Sequence, residues 1–150
     1  MIYGNVFLEY AKKNIKLYHG SSKQIKSGYI DPKNESRENE DYVFGTPYRE
    51  YALCFAGHPW NDSMLNLSRY NGKWYLTEKK KGMLKKIYDT KGYIYTLDSS
   101  DFSEKRNDRE YMSTSKVEIK KTETVDNVYN EIINSNINVY EYPDKPSWMK

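Results

Sequence analysis

Short alternating runs of apolar and polar residues predict strands more often than helices in this chain. Ile15 to His19 reads as a strand, and Asp41 to Thr46 as a second one. Leu65 to Tyr70 and Lys73 to Thr77 flank Asn71-Gly72, the strongest short-range hairpin signal present. Tyr93-Ile94-Tyr95-Thr96-Leu97 anchors a strand from Gly92 to Asp98, Arg109 to Ser113 and Val117 to Ile119 look extended, and Ile137 to Tyr142 forms a last strand. Helical spacing is confined to three places. Val6 to Lys13 places Phe7, Tyr10 and Ala11 on one side. Tyr48 to Ala56 carries Tyr48, Tyr51, Ala52 and Phe55 at helical spacing; Thr46 is its expected N-cap, Pro47 its first helical position, and Gly57-His58-Pro59 its stop. Asp126 is expected to cap a third helix running to Ile133.

Between these elements lie two polar stretches, Ser22 to Glu40 and Ser99 to Asp108, and the tail from Pro143 to Lys150 reads as irregular. A stretch as long as the first is usually a functional lid or a partly disordered segment. The pattern predicts an α+β fold of short, mostly antiparallel strands with a few short helices, in one domain spanning residues 1–150.

Composition changes this picture in two respects. Only 37% of the residues are apolar, but 16 tyrosines supply much of the burial, so many rings should leave a hydroxyl at a surface or pocket. No apolar run approaches the roughly 20 residues that span a bilayer. Glu9, Lys12 and Lys13 interrupt the N-terminal stretch where a signal peptide would be hydrophobic. With a single cysteine, Cys54, the expectation is a cytoplasmic protein without an internal disulfide and without a membrane association. Net charge is only +3, yet Lys79-Lys80-Lys81 and Lys85-Lys86 form one basic cluster. The plainer reading is a solvated turn and helix face, and the sharper one a phosphate or nucleic-acid patch.

Few residues offer chemistry. His19, His58 and Cys54 lack metal-ligand spacing, so no metal is expected. Cys54 and His58 would sit one helical turn apart, but Ala52-Leu53-Cys54-Phe55-Ala56 reads as a buried face with a small core thiol. Two patches remain. Tyr18-His19-Gly20-Ser21 ends a strand with an imidazole, a bare backbone and a hydroxyl, groups that suit the amides and hydroxyls of a nucleotide-like ligand. Asp108-Arg109-Glu110-Tyr111-Met112-Ser113 leads a carboxylate into a strand after a polar loop.

Leu17-Tyr18-His19-Gly20-Ser21, the strand-turn-helix from Val43-Phe44-Gly45-Thr46 to Ala52-Leu53-Cys54-Phe55, and Arg109-Glu110-Tyr111-Met112 follow one another in an order that resembles the ADP-ribosyltransferase fold family. The likeness is to its diphtheria-toxin and poly(ADP-ribose) polymerase branch and spans about residues 15 to 119 as three islands. It implies a split pair of antiparallel sheets and NAD as substrate, with ADP-ribose passed to a macromolecular acceptor that the sequence does not name. His19 would bond the adenosine ribose hydroxyls, the Gly20 backbone would hold the nicotinamide amide, Ser21 would support the pocket, and Glu110 would bond the nicotinamide-ribose 2′-hydroxyl. The two stacking tyrosines of that branch fall at Val43 and Cys54, which cannot stack; Tyr42, Phe44, Tyr48 and Tyr51 are the nearby aromatic residues that would take over, with Phe44, Tyr48 and Tyr51 expected to bind the cofactor. The segment Ser22 to Glu40 would lie over the adenosine side as a lid. Two alternatives stand beside this reading: a catalytically silent module binding a nucleotide or protein in the same cleft, and RNA-end phosphate chemistry using the Lys79 to Lys86 cluster.

Overall fold

A computed structural model of the protein describes residues 14–34, 41–59 and 62–149. The helix expected at Val6 to Lys13 and the end of the first polar stretch lie outside these residues. Among the described residues the fold is α+β, with four small sheets and three short helices. In chain order the strands are β1 (Lys16–Ser21), β2 (Tyr29–Ile30), β3 (Lys33–Asn34), β4 (Asp41–Gly45), β5 (Leu65–Tyr70), β6 (Lys73–Glu78), β7 (Gly92–Asp98), β8 (Glu104–Lys105), β9 (Tyr111–Ser113), β10 (Val117–Glu118), β11 (Lys121–Val125) and β12 (Asn138–Tyr140). The helices are α1 (Arg49–Leu53), α2 (Met83–Tyr88) and α3 (Val128–Ile133).

The central strand β7 lies between β1 and β11 in an antiparallel sheet. Side chains alternate across a strand, and both faces of β7 are buried. Tyr93, Tyr95 and Leu97 join Leu17, Ile30, Val43 and Val117 in one cluster. Ile94 joins a larger cluster on the other face, built from the ends of α1, the faces of α2 and α3, and Leu65, Trp74 and Leu76 of the β5–β6 hairpin. Asn71 and Gly72 both have positive φ, 52° and 76°, as the tight turn of that hairpin requires. Parallel pairing of β12 with β6 completes the second sheet. A third, β3-β4-β9-β8, brings β4 beside β9, and β2 pairs with β10 in a two-stranded fourth.

Several expected boundaries shift for identifiable reasons. Thr46 does not cap α1. Its N–H and C=O are both bonded to Tyr18, at 2.9 and 2.7 Å, so extended backbone persists until Tyr48 and the helix begins at Arg49. The Thr46 hydroxyl instead accepts from Tyr48 N–H at 3.2 Å. Helix α1 stops at Leu53, because Phe55 and Ala56 bond back to Ala52 and Leu53 with the tighter spacing of a final turn. Asn127, rather than Asp126, caps α3 by accepting from Asn130 N–H at 2.9 Å. Strand β11 has no apolar alternation to announce it, because only Val125 within it is buried. The irregular tail is nevertheless held: Trp148 stacks on Tyr70 with ring centroids 4.4 Å apart, and buried Glu78 accepts from Tyr142 N–H at 3.0 Å and Leu84 N–H at 2.8 Å.

One contact sets the position of α1. A Cβ added to Gly20 would lie 1.9 Å from the Ala52 carbonyl oxygen, so only glycine lets β1 and the helix approach this closely. The obstacle is backbone and cannot rotate away. Gly20→Ala is therefore expected to destabilise the protein by about 3 kcal/mol or more, at the upper end of overpacking costs. Urea unfolding of the two proteins measures this, and a loss below about 1 kcal/mol would contradict the seating of α1 on β1.

Candidate functional site

Strands β1 and β4 meet at one rung and then part. Tyr18 and Thr46 exchange both backbone hydrogen bonds in an isolated bridge. Continued antiparallel pairing would set Gly20 opposite Phe44, but among the described residues no further rung follows. Alternate residues of a strand direct their N–H and C=O to the same edge, so those of Gly20 face the opening gap as those of Tyr18 face Thr46. The Phe44 carbonyl, which the ladder would have offered to Gly20, is taken by His19 Nδ1 at 2.8 Å. A carbonyl oxygen only accepts, so Nδ1 is the protonated nitrogen, and the ring is fixed at the mouth of the gap.

The gap opens into a cavity of about 420 Å³, within the usual range for small-molecule sites. Its walls include His19, Gly20, Ser21, Phe44, Tyr51 and Glu110, together with Phe55, His58 and Lys23. Six of the seven residues singled out in the sequence thus share one cavity. Tyr48 does not line it. That ring lies under the Arg69 guanidinium, 4.3 Å away, and edge-on to Trp74 at 5.6 Å.

Each wall has a local cause. The Tyr95 hydroxyl donates to the Lys23 carbonyl at 2.9 Å and accepts from Ile25 N–H at 2.7 Å, which fastens the chain leaving β1. Burial of that phenol is the main reason its pKa is raised. Glu110 reaches the gap because Tyr111, the next residue, pairs with Gly45 of β4. Asn107 shapes the preceding loop: its Oδ1 accepts from Arg109 and Glu110 N–H at 2.8 and 2.9 Å, and its Nδ2 donates to Glu110 Oε1 at 3.3 Å. Such Asx turns are an asparagine habit, so the Asn107-Asp108 pair carried a turn signal in the sequence, though not one that named its role. Arg109 lies over Tyr51 at 5.9 Å, joining the Glu110 loop to α1. Tyr51 also packs on Phe55 and Trp74, with centroids at 5.0 and 5.3 Å.

Val43 and Cys54 are both in the core, 1% and 0% exposed, and neither lines the cavity. Their neighbours in the proper phase do: Phe44 one residue along the strand, and Tyr51 roughly one helical turn back. Exposed His58 stands at the rim, its N–H bonded to the Ile87 carbonyl at 2.8 Å, so the Cys54–His58 pair is divided between core and surface. Among the described residues no group of three or more His, Cys, Asp or Glu is placed to hold a metal ion. No protein-family model, no curated protein and no solved structure matches the chain.

Burial raises the Cys54 thiol far above its ordinary range. The native thiol is expected to resist iodoacetamide at pH 8 and to react once urea unfolds the chain. The unfolded thiol ionises above about pH 8.5 while the folded one keeps its proton. Stability should then fall by about 1.4 kcal/mol per pH unit between roughly pH 9 and 10 from this group, a contribution absent in Cys54→Ala. Rapid native alkylation would show that the thiol is accessible after all.

Proposed function

We propose that the protein binds NAD in the gap between β1 and β4, cleaves it at the nicotinamide bond and passes ADP-ribose to a macromolecular acceptor. The observation that carries this reading is the convergence of the His19-Gly20-Ser21 strand end with Glu110 in one cavity walled by Phe44 and Tyr51. The Gly20 amide and carbonyl, turned to the gap, offer a donor and an acceptor matched to a carboxamide. His19 offers an oriented imidazole for ribose hydroxyls, and Ser21 lines the wall beside it.

In the reaction the bond between the ribose anomeric carbon and the pyridinium nitrogen breaks. The electron pair leaves with nicotinamide, which becomes neutral, and positive charge develops on the ribose. A Glu110 carboxylate bonded to the 2′-hydroxyl would stabilise that charge most strongly in the transition state. An acceptor nucleophile then bonds to the anomeric carbon and releases its proton. Phe44 and Tyr51 supply aromatic faces for the departing ring, worth about 0.5–1.5 kcal/mol beyond burial. A reducing, cytoplasmic setting accords with a lone buried cysteine. No helix among the described residues is long and apolar enough to cross a membrane.

The second reading, a silent binding module in the same cleft, is favoured by the lack of a tyrosine at Val43 and at Cys54, the positions where the resemblance expects stacking rings. Titration calorimetry with NAD and an assay of released nicotinamide separate the two. His19→Ala should weaken NAD binding at least tenfold. Glu110→Gln should bind NAD within a few-fold of the parent yet release nicotinamide about 100-fold more slowly, the usual scale for losing one such group. Asn107→Ala, acting through Glu110, should slow release about tenfold with affinity unchanged. Saturable binding without release would leave the silent module, and absence of NAD binding would overturn both the substrate and the roles.

A further inference from the structure

The chain carries 24 basic and 21 acidic side chains. Taking away Lys79, Lys80, Lys81, Lys85 and Lys86 leaves 19 basic ones against those 21. The whole positive excess of the protein therefore sits in the turn after β6 and the outward side of α2. Folding buries Leu84, Ile87 and Tyr88 of that helix and leaves all five lysines exposed. None of the five is ion-paired with a carboxylate among the described residues. Glu78, next to Lys79 in sequence, is buried with its carboxylate oxygens committed to Leu84 and Tyr142 N–H, and Asp89, three residues after Lys86, accepts from Asn127 Nδ2 at 2.8 Å. Lys79 Nζ donates to the Asp62 carbonyl, and Lys85 Nζ lies 5.5 Å from the Tyr129 ring centroid, so these two contacts leave the ammonium charge uncompensated.

We infer that this surface binds the phosphodiester backbone of a nucleic acid. Lysine ammonium groups act as point charges that accept phosphate oxygens without demanding a fixed geometry. A protein partner would call for a desolvated aromatic or arginine anchor, and a membrane surface for exposed apolar side chains beside the charges. The exposed residues of this segment, four of them Lys79 to Gly82 and the others Lys85 and Lys86, provide neither. Helix α2 rises only about 9 Å over its length, and its far end carries the Ile87 carbonyl that holds His58 at the cavity rim. A strand on the lysines is thus held beside the cavity. Naming nucleic acid as the macromolecule presented there rests on the proposed reading of the cavity; the binding itself does not.

The test is fluorescence anisotropy with a labelled single-stranded oligouridylate and, in parallel, a duplex DNA of equal length, in potassium chloride without NAD. Five phosphate contacts predict a slope of log affinity against log salt near −3.5 for the single strand, about a hundredfold loss between 50 and 200 mM. Replacing Lys80, Lys81, Lys85 and Lys86 together by Ala should flatten the slope by about 3 without altering the circular dichroism or the unfolding midpoint. The fourfold Arg variant should bind like the parent. The tighter of the two probes identifies the nucleic acid. His19→Ala should bind both unchanged, which separates failure at the cavity from failure here. A slope shallower than about −1, equal binding by the Ala variant, or tighter binding to phosphatidylserine vesicles than to either probe would overturn the inference.

Discussion

The cavity depends on one interrupted ladder. Two strands that meet at Tyr18 and Thr46 would, by continued pairing, satisfy Gly20 with Phe44 and close the sheet. Instead an imidazole occupies the Phe44 carbonyl, and β1 and β4 diverge. A sheet that opens in this way must leave backbone donors and acceptors facing the gap, because alternate residues cannot turn to the paired edge. Polar main chain at a concave surface, with a fixed histidine beside it, is a consequence of where the pairing stops. The β4–β9 pairing then brings Glu110 to the same place from a distant part of the chain.

Helix α1 provides the other wall, and its position is set by the absence of a side chain. Gly20 suggested a bare backbone open to a ligand. The space of its missing Cβ is taken by the Ala52 carbonyl, while its amide and carbonyl, on the same strand edge as those of Tyr18, face the gap. The glycine therefore serves packing through one face and leaves its hydrogen-bonding edge turned to the gap. Close seating also places Cys54 in the core and turns Tyr51 and Phe55 outward, which explains how aromatic rings line the cavity although Val43 and Cys54 do not.

Much of the fold was legible locally. Asn71-Gly72 specified its hairpin because both residues tolerate positive φ, and the apolar run from Tyr93 to Leu97 marked a strand buried on both faces. Elements whose identity depends on partners were less legible. Strand β11, rich in Lys, Thr and Glu, exists because β7 has an edge to pair. Thr46 looked like a cap until the neighbouring strand claimed its backbone. Tyr48 shared helical spacing with Tyr51, but it precedes the delayed start of α1 and its ring lies against Arg69 and Trp74.

The amino-acid sequence by itself determined the short-strand α+β character, the chemistry available at Tyr18-His19-Gly20-Ser21 and at Glu110, and the concentration of lysines between Lys79 and Lys86. These are properties of residue type and of nearest-neighbour pattern, which need no partner to be read. Tertiary structure alone decided that the histidine and the carboxylate share a cavity, which aromatic rings face it, and that no carboxylate among the described residues pairs with the lysines. Those outcomes depend on which backbone edges pair and which glycine lets a helix close in. Such contacts join residues far apart in the chain, and no local pattern encodes their distance.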